Sequence, residues 1–223
     1  MTIMKRGILL FYLLFSSILS SQSKDEWGSW IMLYGDNEIS KNLDIVTEFR
    51  LHHYEIFDVL DNQFYKIGLG YRITPEVSVG AGYVHHYSET RTSISTSENR
   101  PYEEICLKRK IKKLSISNRY RLEHRWINND GVTDFINRMR YRLQVTHPLG
   151  ANFYIKVFDE VFLNLEQTIF NQNRLHGGIG YTFSPDFKVE LGYVKNHFNT
   201  HMDDILRIGI LFKTHLRKKT NTL

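Results

Sequence analysis

Apolar and polar residues alternate with a period of two along much of this chain, in segments of about ten residues. Between 77 and 83 the odd positions are apolar, whereas the even positions carry serine or glycine. The same alternation recurs at 187–193 and at 206–213. A period of two is that of a β-strand, and about ten residues is the length of a tilted strand that crosses a bilayer. The pattern predicts an all-β fold, namely an antiparallel up-and-down transmembrane β-barrel.

The expected number of strands follows from counting these segments. Ten are predicted between residues 42 and 214, and the segment 27–34 also has strand character. Bacterial outer-membrane barrels formed by one chain have an even number of strands. We therefore expect about ten strands, with twelve as the alternative, and interpret 22–41 as a short strand or plug beside a barrel of residues 42–214. The remaining predicted strands lie at 42–52, 62–73, 100–110, 114–127, 135–147, 151–163 and 170–183.

Two kinds of connection alternate along the chain, as an up-and-down barrel in an outer membrane requires. Three of the four short turns contain proline, which is excluded from strand interiors because it cannot donate to a ladder. The short turns are predicted at 74–76, 110–113, 147–150 and 184–186. Long polar connections are predicted at 88–99, 128–134, 164–170 and 197–203. The short set is expected to face the periplasm and the long set the outside.

The first 21 residues have the order of a secretory signal peptide. Lys5 and Arg6 precede an apolar run from 7 to 19, and small polar residues follow. The run is too short to anchor the chain as a membrane helix. We therefore expect residues 1–21 to be removed on export and the mature chain to reside in the outer membrane of a Gram-negative bacterium. Residues 215–223 form a basic tail after the last strand, whereas many outer-membrane barrels end on an aromatic residue.

Charged residues share one face of the predicted strands. Alternation alone does not say whether this face points inward, because a soluble lipocalin-like barrel would place the apolar face around a ligand and the charges in water. Aromatic residues near strand ends and the export signal favour the membrane orientation, with the charges in the lumen. In that orientation the lipid-facing side chains include Tyr141, Val189, Leu191 and Ile208.

A barrel of ten strands has an interior little wider than side chains can fill, so inward Arg and Glu residues are expected to form ion pairs. Arg121, Glu123, Arg140 and Glu160 are expected in one such network. Two functions remain open, a structural barrel with an ion-paired interior and a porin-like or anion-selective transport channel. The predicted lumen network comprises Glu48, Arg50, Arg119, Arg121, Glu123, Arg125, Arg138, Arg140, Arg142, Glu160, Arg174, Glu190 and Arg207.

Catalytic, metal and nucleic-acid functions have little support in the sequence. Histidines at 85, 86 and 124 and serines at 88 and 117 have no triad spacing, so a lipid-modifying outer-membrane enzyme is not favoured. Adjacent histidines point to opposite faces of a strand, and we expect no metal site and no cofactor. Cys106 is the only cysteine, and the net charge of +5 is spread along the chain rather than collected in a nucleic-acid patch. The expected partners are membrane lipid, the outer-membrane assembly machinery and an unidentified small solute.

Four motifs occur in a characteristic order along the chain. They are NRYRLEHR at 118–125, RMRYR at 138–142, DEVF at 159–162 and NQNR at 171–174. Together with Trp27 and Trp30 at the start and LGY at 191–193, this order resembles the uncharacterised outer-membrane family known as domain of unknown function 2490. The resemblance covers nearly all of the chain after the signal peptide. It implies an outer-membrane barrel and no particular activity, because the family has none established.

Overall fold

The computed structural model describes residues 27–89, 95–166 and 168–216, so the expected signal peptide and residues 217–223 of the basic tail lie outside the described residues. The fold of the described part is all-β. Among the described residues there is no apolar helix of a length that crosses a membrane. The strands are β1 (Trp27–Glu38), β2 (Leu43–Glu55), β3 (Asp58–Arg72), β4 (Val77–Glu89), β5 (Ser95–Ile111), β6 (Leu114–Asn129), β7 (Val132–Gly150), β8 (Phe153–Asn164), β9 (Phe170–Ser184), β10 (Phe187–His197) and β11 (Met202–His215).

These eleven strands form one closed barrel in which each strand pairs with its neighbours in sequence. The pairs between consecutive strands are antiparallel. Closure of the barrel is different, because β1 pairs with β11 in parallel, from Trp27 opposite Asp204 to Glu38 opposite His215. The architecture is therefore a mixed barrel with one parallel seam.

The expectation of about ten strands in a purely antiparallel barrel is wrong. Residues 27–38 are neither a plug nor a short strand at the rim, because β1 has twelve residues and a hydrogen-bonded neighbour on each side. The wall begins at Trp27 rather than at residue 42, and it ends at His215. An even strand number is required only when all pairs are antiparallel, so the parallel seam allows an odd number to close.

The parallel seam also places the start of β1 and the end of β11 at opposite ends of the barrel, which we call the Trp27 end and the His215 end. At the Trp27 end, β6 and β7 are joined by a two-residue turn, not by the long connection predicted for 128–134. Asp130 and Gly131 both have positive φ, of 48° and 89°. These are the conformations of a type I′ hairpin turn, for which Asp-Gly is a preferred sequence.

Strand β5 begins at Ser95, inside the segment 88–99 that was predicted to be a connection. Pro101 stands within this strand, as it does within the predicted strand 100–110. Pro101 has no N–H to donate, and the ladder between β5 and β6 has no paired residues at Arg100 and Pro101. The gap in the ladder explains how a strand of seventeen residues accommodates a proline.

The two faces of the wall differ in polarity. Large apolar side chains on the outer face are about half exposed, as for Ile67 and Leu191, whereas inner-face arginine and glutamate residues such as Arg121 and Glu123 are buried. The inverted, lipocalin-like arrangement is thereby excluded. Tyr141, Val189, Leu191 and Ile208 lie on the outer face, as expected, because they alternate with inward residues of β7, β10 and β11.

Glycines on the inner face of β3 and β4 let a large side chain lie flat against the wall. A Cβ atom added at Gly68 or Gly82 would lie 2.4 or 2.7 Å from the Tyr102 hydroxyl oxygen. The space that these glycines leave is therefore occupied by Tyr102, a residue of the neighbouring strand β5. Tyr102 forms a small buried apolar cluster with Phe64 and Val84.

Candidate functional site: a charged lumen

The interior of the barrel contains a cavity of about 990 Å³. Its lining extends from Phe198 and His201, in the connection between β10 and β11 at the Trp27 end, to Ser115, the second residue of β6 at the His215 end. Side chains therefore do not fill the lumen.

Positive side chains outnumber negative ones on this surface. Among the described residues, thirteen Arg and Lys side chains and six Asp and Glu side chains line the cavity. Glu123 and Glu190, which are buried against lining arginines, raise the number of carboxylates to eight. The described part of the lumen therefore carries an excess of five positive charges.

The structure places the thirteen residues predicted for the lumen network on the inner face, but it divides them among separate groups. The largest group, which we call the central cluster, is linked by ion pairs across strands β5 to β8. It consists of Glu98, Arg100, Glu104, Arg119, Arg121, Glu123, Arg125, Arg138, Arg140 and Glu160. Its six arginines share four carboxylates.

Glu123 has the most shielded carboxylate of the central cluster, with no exposed surface. Arg138 donates to Glu123 Oε2 through Nε at 2.9 Å and through Nη2 at 2.6 Å. Arg140 Nη1 donates to the other carboxylate oxygen at 2.6 Å. The guanidinium groups of Arg100 and Arg121 lie 3.8 and 3.7 Å from the same oxygen. Four guanidinium groups therefore surround one carboxylate.

Arg140 connects this carboxylate to a second one. Its Nε and Nη2 atoms donate to Glu160 Oε1 at 3.1 and 2.8 Å, and Arg119 donates to the same oxygen. Arg121, which lies beside Glu123, donates its hydrogen bonds to Glu104 Oε2, at 2.8 and 2.5 Å. The structure thus brings together Arg121, Glu123, Arg140 and Glu160, the four residues expected in one network.

Two smaller groups lie elsewhere on the wall. Glu48 accepts hydrogen bonds from Arg50 and from Lys66, the latter at 3.1 Å. Glu190 accepts from Lys156, from the Tyr154 hydroxyl at 2.8 Å and from Arg207 at 3.0 Å. Glu190 is buried and Glu48 is of intermediate burial, and each carboxylate is shared by two cations.

Two cavity-lining arginines have no carboxylate partner within the described part of the chain. Arg174 donates to Asn196 Oδ1 at 2.9 Å, and its Cζ atom lies 4.7 Å from the Trp30 ring centroid. Arg142 has no hydrogen-bond or ion-pair partner in the described residues, and its Cζ atom lies 5.4 Å from the Phe158 ring centroid. These two residues contribute directly to the excess of positive charge.

Sequence reasoning missed Glu98, Arg100 and Glu104 of β5 as members of the site. Their even-numbered spacing, continued by Cys106 and Lys108, was a usable signal, although Glu98 lay in the predicted connection 88–99 and only Arg100 and Glu104 in the predicted strand 100–110. Lys156 was also missed, although it stands between Tyr154 and Phe158 on the inner face of β8.

The side chains considered for catalysis are not brought together. Ser117 lines the cavity, whereas His124 faces outward from the same strand and contacts Asn137 and Glu103. His85 likewise faces outward, with its Nδ1 atom 3.0 Å from Asn99 Oδ1. Across residues 27–89, 95–166 and 168–216, no three His, Cys, Asp or Glu side chains are placed to hold a metal ion.

Comparison with solved structures finds two matching chains. One is the anion-selective porin from Comamonas acidovorans, with 12% sequence identity, a TM-score of 0.36 and 74% of the present chain covered. The present chain spans 55% of the length of that porin. The comparison with curated proteins finds no match. The model of a family described as Protein of unknown function (DUF2490) matches residues 27–207, from the first residue of β1 into β11. This chain therefore belongs to the DUF2490 family.

Proposed function

We propose that this chain is an outer-membrane β-barrel of a Gram-negative bacterium whose narrow lumen admits small anions, and that its role is not enzymatic. The expected signal peptide and the closed barrel support the location. So does the outer face, where exposed apolar side chains such as Ile67, Leu69 and Leu191 would contact lipid rather than water. Membrane lipid is then the partner of the outer face, and assembly into the membrane would require the outer-membrane assembly machinery.

The observation that carries the anion proposal is the uncompensated positive charge of the lumen, of which Arg142 is the clearest case. A cleft with walls of low dielectric constant focuses the field of its charges and raises the local concentration of counter-ions. An excess of five positive charges on the described lining would attract anions and repel cations.

A structural barrel with a closed interior is the second candidate, and the central cluster favours it. Side chains from three strands, β5, β6 and β7, meet around Glu123, and such a cluster of fixed ion pairs would obstruct the lumen at that level. The two candidates differ in a measurable property, because only the first conducts ions.

Planar bilayers that contain the purified protein, with a KCl gradient across them, test the proposal. We expect a small conductance whose reversal potential shows that chloride is more permeable than potassium. Arg142→Glu should shift the reversal potential toward cation selectivity. Arg109→Gln, a loss of positive charge on the outer face of β5, should leave it unchanged. Cation selectivity of the unmodified protein would contradict the proposal, and absence of conductance would favour the structural barrel.

A further inference from the structure

A patch of polar side chains without partners lies on the inner wall between the central cluster and the His215 end. It consists of Lys108 on β5, Ser117 on β6, and Arg142 and Gln144 on β7, all of which line the cavity. In the sheet register Lys108 is opposite Ser117, and Ser117 is opposite Gln144. Side chains of directly opposed residues are about 5 Å apart at Cβ, so these three form a continuous row. Arg142 lies next to the row, two residues before Gln144 on the same face.

These four side chains make no hydrogen bond or ion pair with any described residue. The nearest carboxylates are already engaged. Glu160 is directly opposite Arg142 in the register, yet it accepts its hydrogen bonds from Arg119 and Arg140. The Glu104 carboxylate, which precedes the patch on β5, is held by Arg121.

The donors that remain are therefore uncommitted and point into a cavity. Arg142 and Lys108 supply two positive charges, Ser117 and Gln144 supply neutral donors, and the adjacent Arg119 has a buried Nε atom with no hydrogen-bond partner. No carboxylate belongs to the patch. A set of this composition has donors in excess and no anionic group to balance its two positive charges.

We propose that this patch is a binding site for a small divalent oxyanion of the sulfate or hydrogen phosphate class. This inference rests on the proposed function only in that solutes enter the electropositive lumen. A fork-shaped guanidinium, a compact ammonium and two neutral donors on three adjacent strands approach a ligand from different directions, which suits a tetrahedral oxyanion with four acceptor oxygens. The two uncompensated cations match two negative charges, and the Phe158 ring beside Arg142 limits the size of the ligand.

Equilibrium binding of radiolabelled sulfate and radiolabelled phosphate to the full-length mature protein, folded in detergent at constant ionic strength, tests the site. We expect saturable binding of one anion per chain, with chloride and acetate as weak competitors. Hydrogen bonds to charged groups contribute about 1.5–3 kcal/mol, so Arg142→Gln and Lys108→Gln should each weaken binding by about tenfold or more. Arg109→Gln, which changes the residue next to Lys108 on the opposite face, is the matched control and should bind as the unmodified protein does.

Heat-modifiable migration on gels shows that each variant is folded, so a loss of binding can be assigned to the patch. The inference is wrong if neither anion binds saturably, or if Arg142→Gln and Lys108→Gln bind as tightly as the control. Binding in detergent requires no conduction. Anion-selective conductance without saturable binding would therefore overturn the site and leave the proposed function intact. Saturable binding without conductance would support the site and contradict the proposed function.

Discussion

The central cluster and the patch toward the His215 end use the same strands and the same kinds of side chain, but they differ in how charge is compensated. In the cluster each carboxylate is shared by at least two arginines, as Glu123 is by Arg138 and Arg140. In the patch, Arg142 and Lys108 share no carboxylate with any described residue. Whether an inward arginine forms structural ion pairs or can bind a solute therefore depends on its neighbours, not on its residue type.

The sheet register explains this difference. Arg119 is directly opposite Arg142, and Arg121 is directly opposite Arg140, so β6 and β7 place like charges side by side. Such pairs are unfavourable unless carboxylates on the flanking strands separate them. Glu160 bonds Arg140 and Arg119, and its carboxylate makes no hydrogen bond with Arg142. Arg142 is therefore left without a carboxylate partner among the described residues.

The most damaging change should be the loss of the charge at the centre of the cluster. Glu123→Gln keeps the shape of the side chain but leaves four neighbouring guanidiniums without their shared carboxylate. Breaking a buried ion pair on one side costs about 3–5 kcal/mol, and we expect a loss of that size in the free energy of unfolding, measured with urea in lipid vesicles. The matched control is Glu103→Gln on the outer face of β5, which should cost less than about 1 kcal/mol. Equal effects of the two changes would show that the cluster is solvated and resembles the patch.

A charge-balanced double change should do less harm than the corresponding single change. Replacing both Glu123 and Arg138 by leucine removes an acid together with a base, and Arg140 keeps its bonds to Glu160. Buried ion pairs replaced by apolar residues are often close to neutral in stability. We therefore expect the double variant to lose less than half of the unfolding free energy lost by Glu123→Leu alone. A double variant as unstable as the single one would show that the cost arises from packing rather than from unpaired charge.

Arg142→Gln should change stability little, in contrast to changes in the cluster. It removes an unpaired cation that is directly opposite Arg119, and relief of such a contact is worth about 0.2–1 kcal/mol. The urea midpoint should stay the same or rise slightly. A loss of several kcal/mol, comparable with that of Glu123→Gln, would mean that Arg142 is as structural as the arginines of the cluster.

Raising the salt concentration should affect the patch and the central cluster differently, and of these perturbations it should have the smallest effect. The Debye length falls from about 10 Å at 0.1 M to about 3 Å at 1 M, and solvated charges are screened much more than buried ones. The ratio of chloride to potassium permeability should therefore fall toward one as KCl is raised. The stability difference between the unmodified protein and Glu123→Gln should stay nearly constant over the same range. A parallel decline of both quantities would remove the distinction between cluster and patch.

Much of the fold was predictable because a two-residue period specifies a strand and its polar face together. The strand at 27–38 was predicted to be a short strand or plug because the rule of even strand numbers assumes antiparallel closure. A parallel seam has no local sequence signal that would have corrected this. The turn at Asp130 and Gly131 was predictable from its Asp-Gly sequence, but the surrounding polar residues gave it the composition of a longer loop. Strand length and turn type depend on local sequence, whereas closure depends on residues far apart.

The candidate site was predictable in its residues and not in its pairing. Alternation identified the inward arginines, but which of them obtains a carboxylate depends on the register between strands, which one sequence does not specify. Arg140 and Arg142 are equivalent in sequence pattern, yet Arg140 bonds two carboxylates and Arg142 none among the described residues. Glu98 and Glu104 belong to the site for the same reason, because the register of β5 with β6 brings them to Arg125 and Arg121.

The parallel seam has a consequence for how the barrel is completed. Thr214 donates to Asn37 Oδ1 at 2.7 Å across the seam, and these residues are 177 positions apart in the chain. Until β11 docks against it, one edge of β1 keeps a row of N–H and C=O groups without hydrogen-bond partners. Such an edge is a template for pairing with the wrong strand or with another molecule. One edge of β1 therefore has to remain shielded until β11 docks against it.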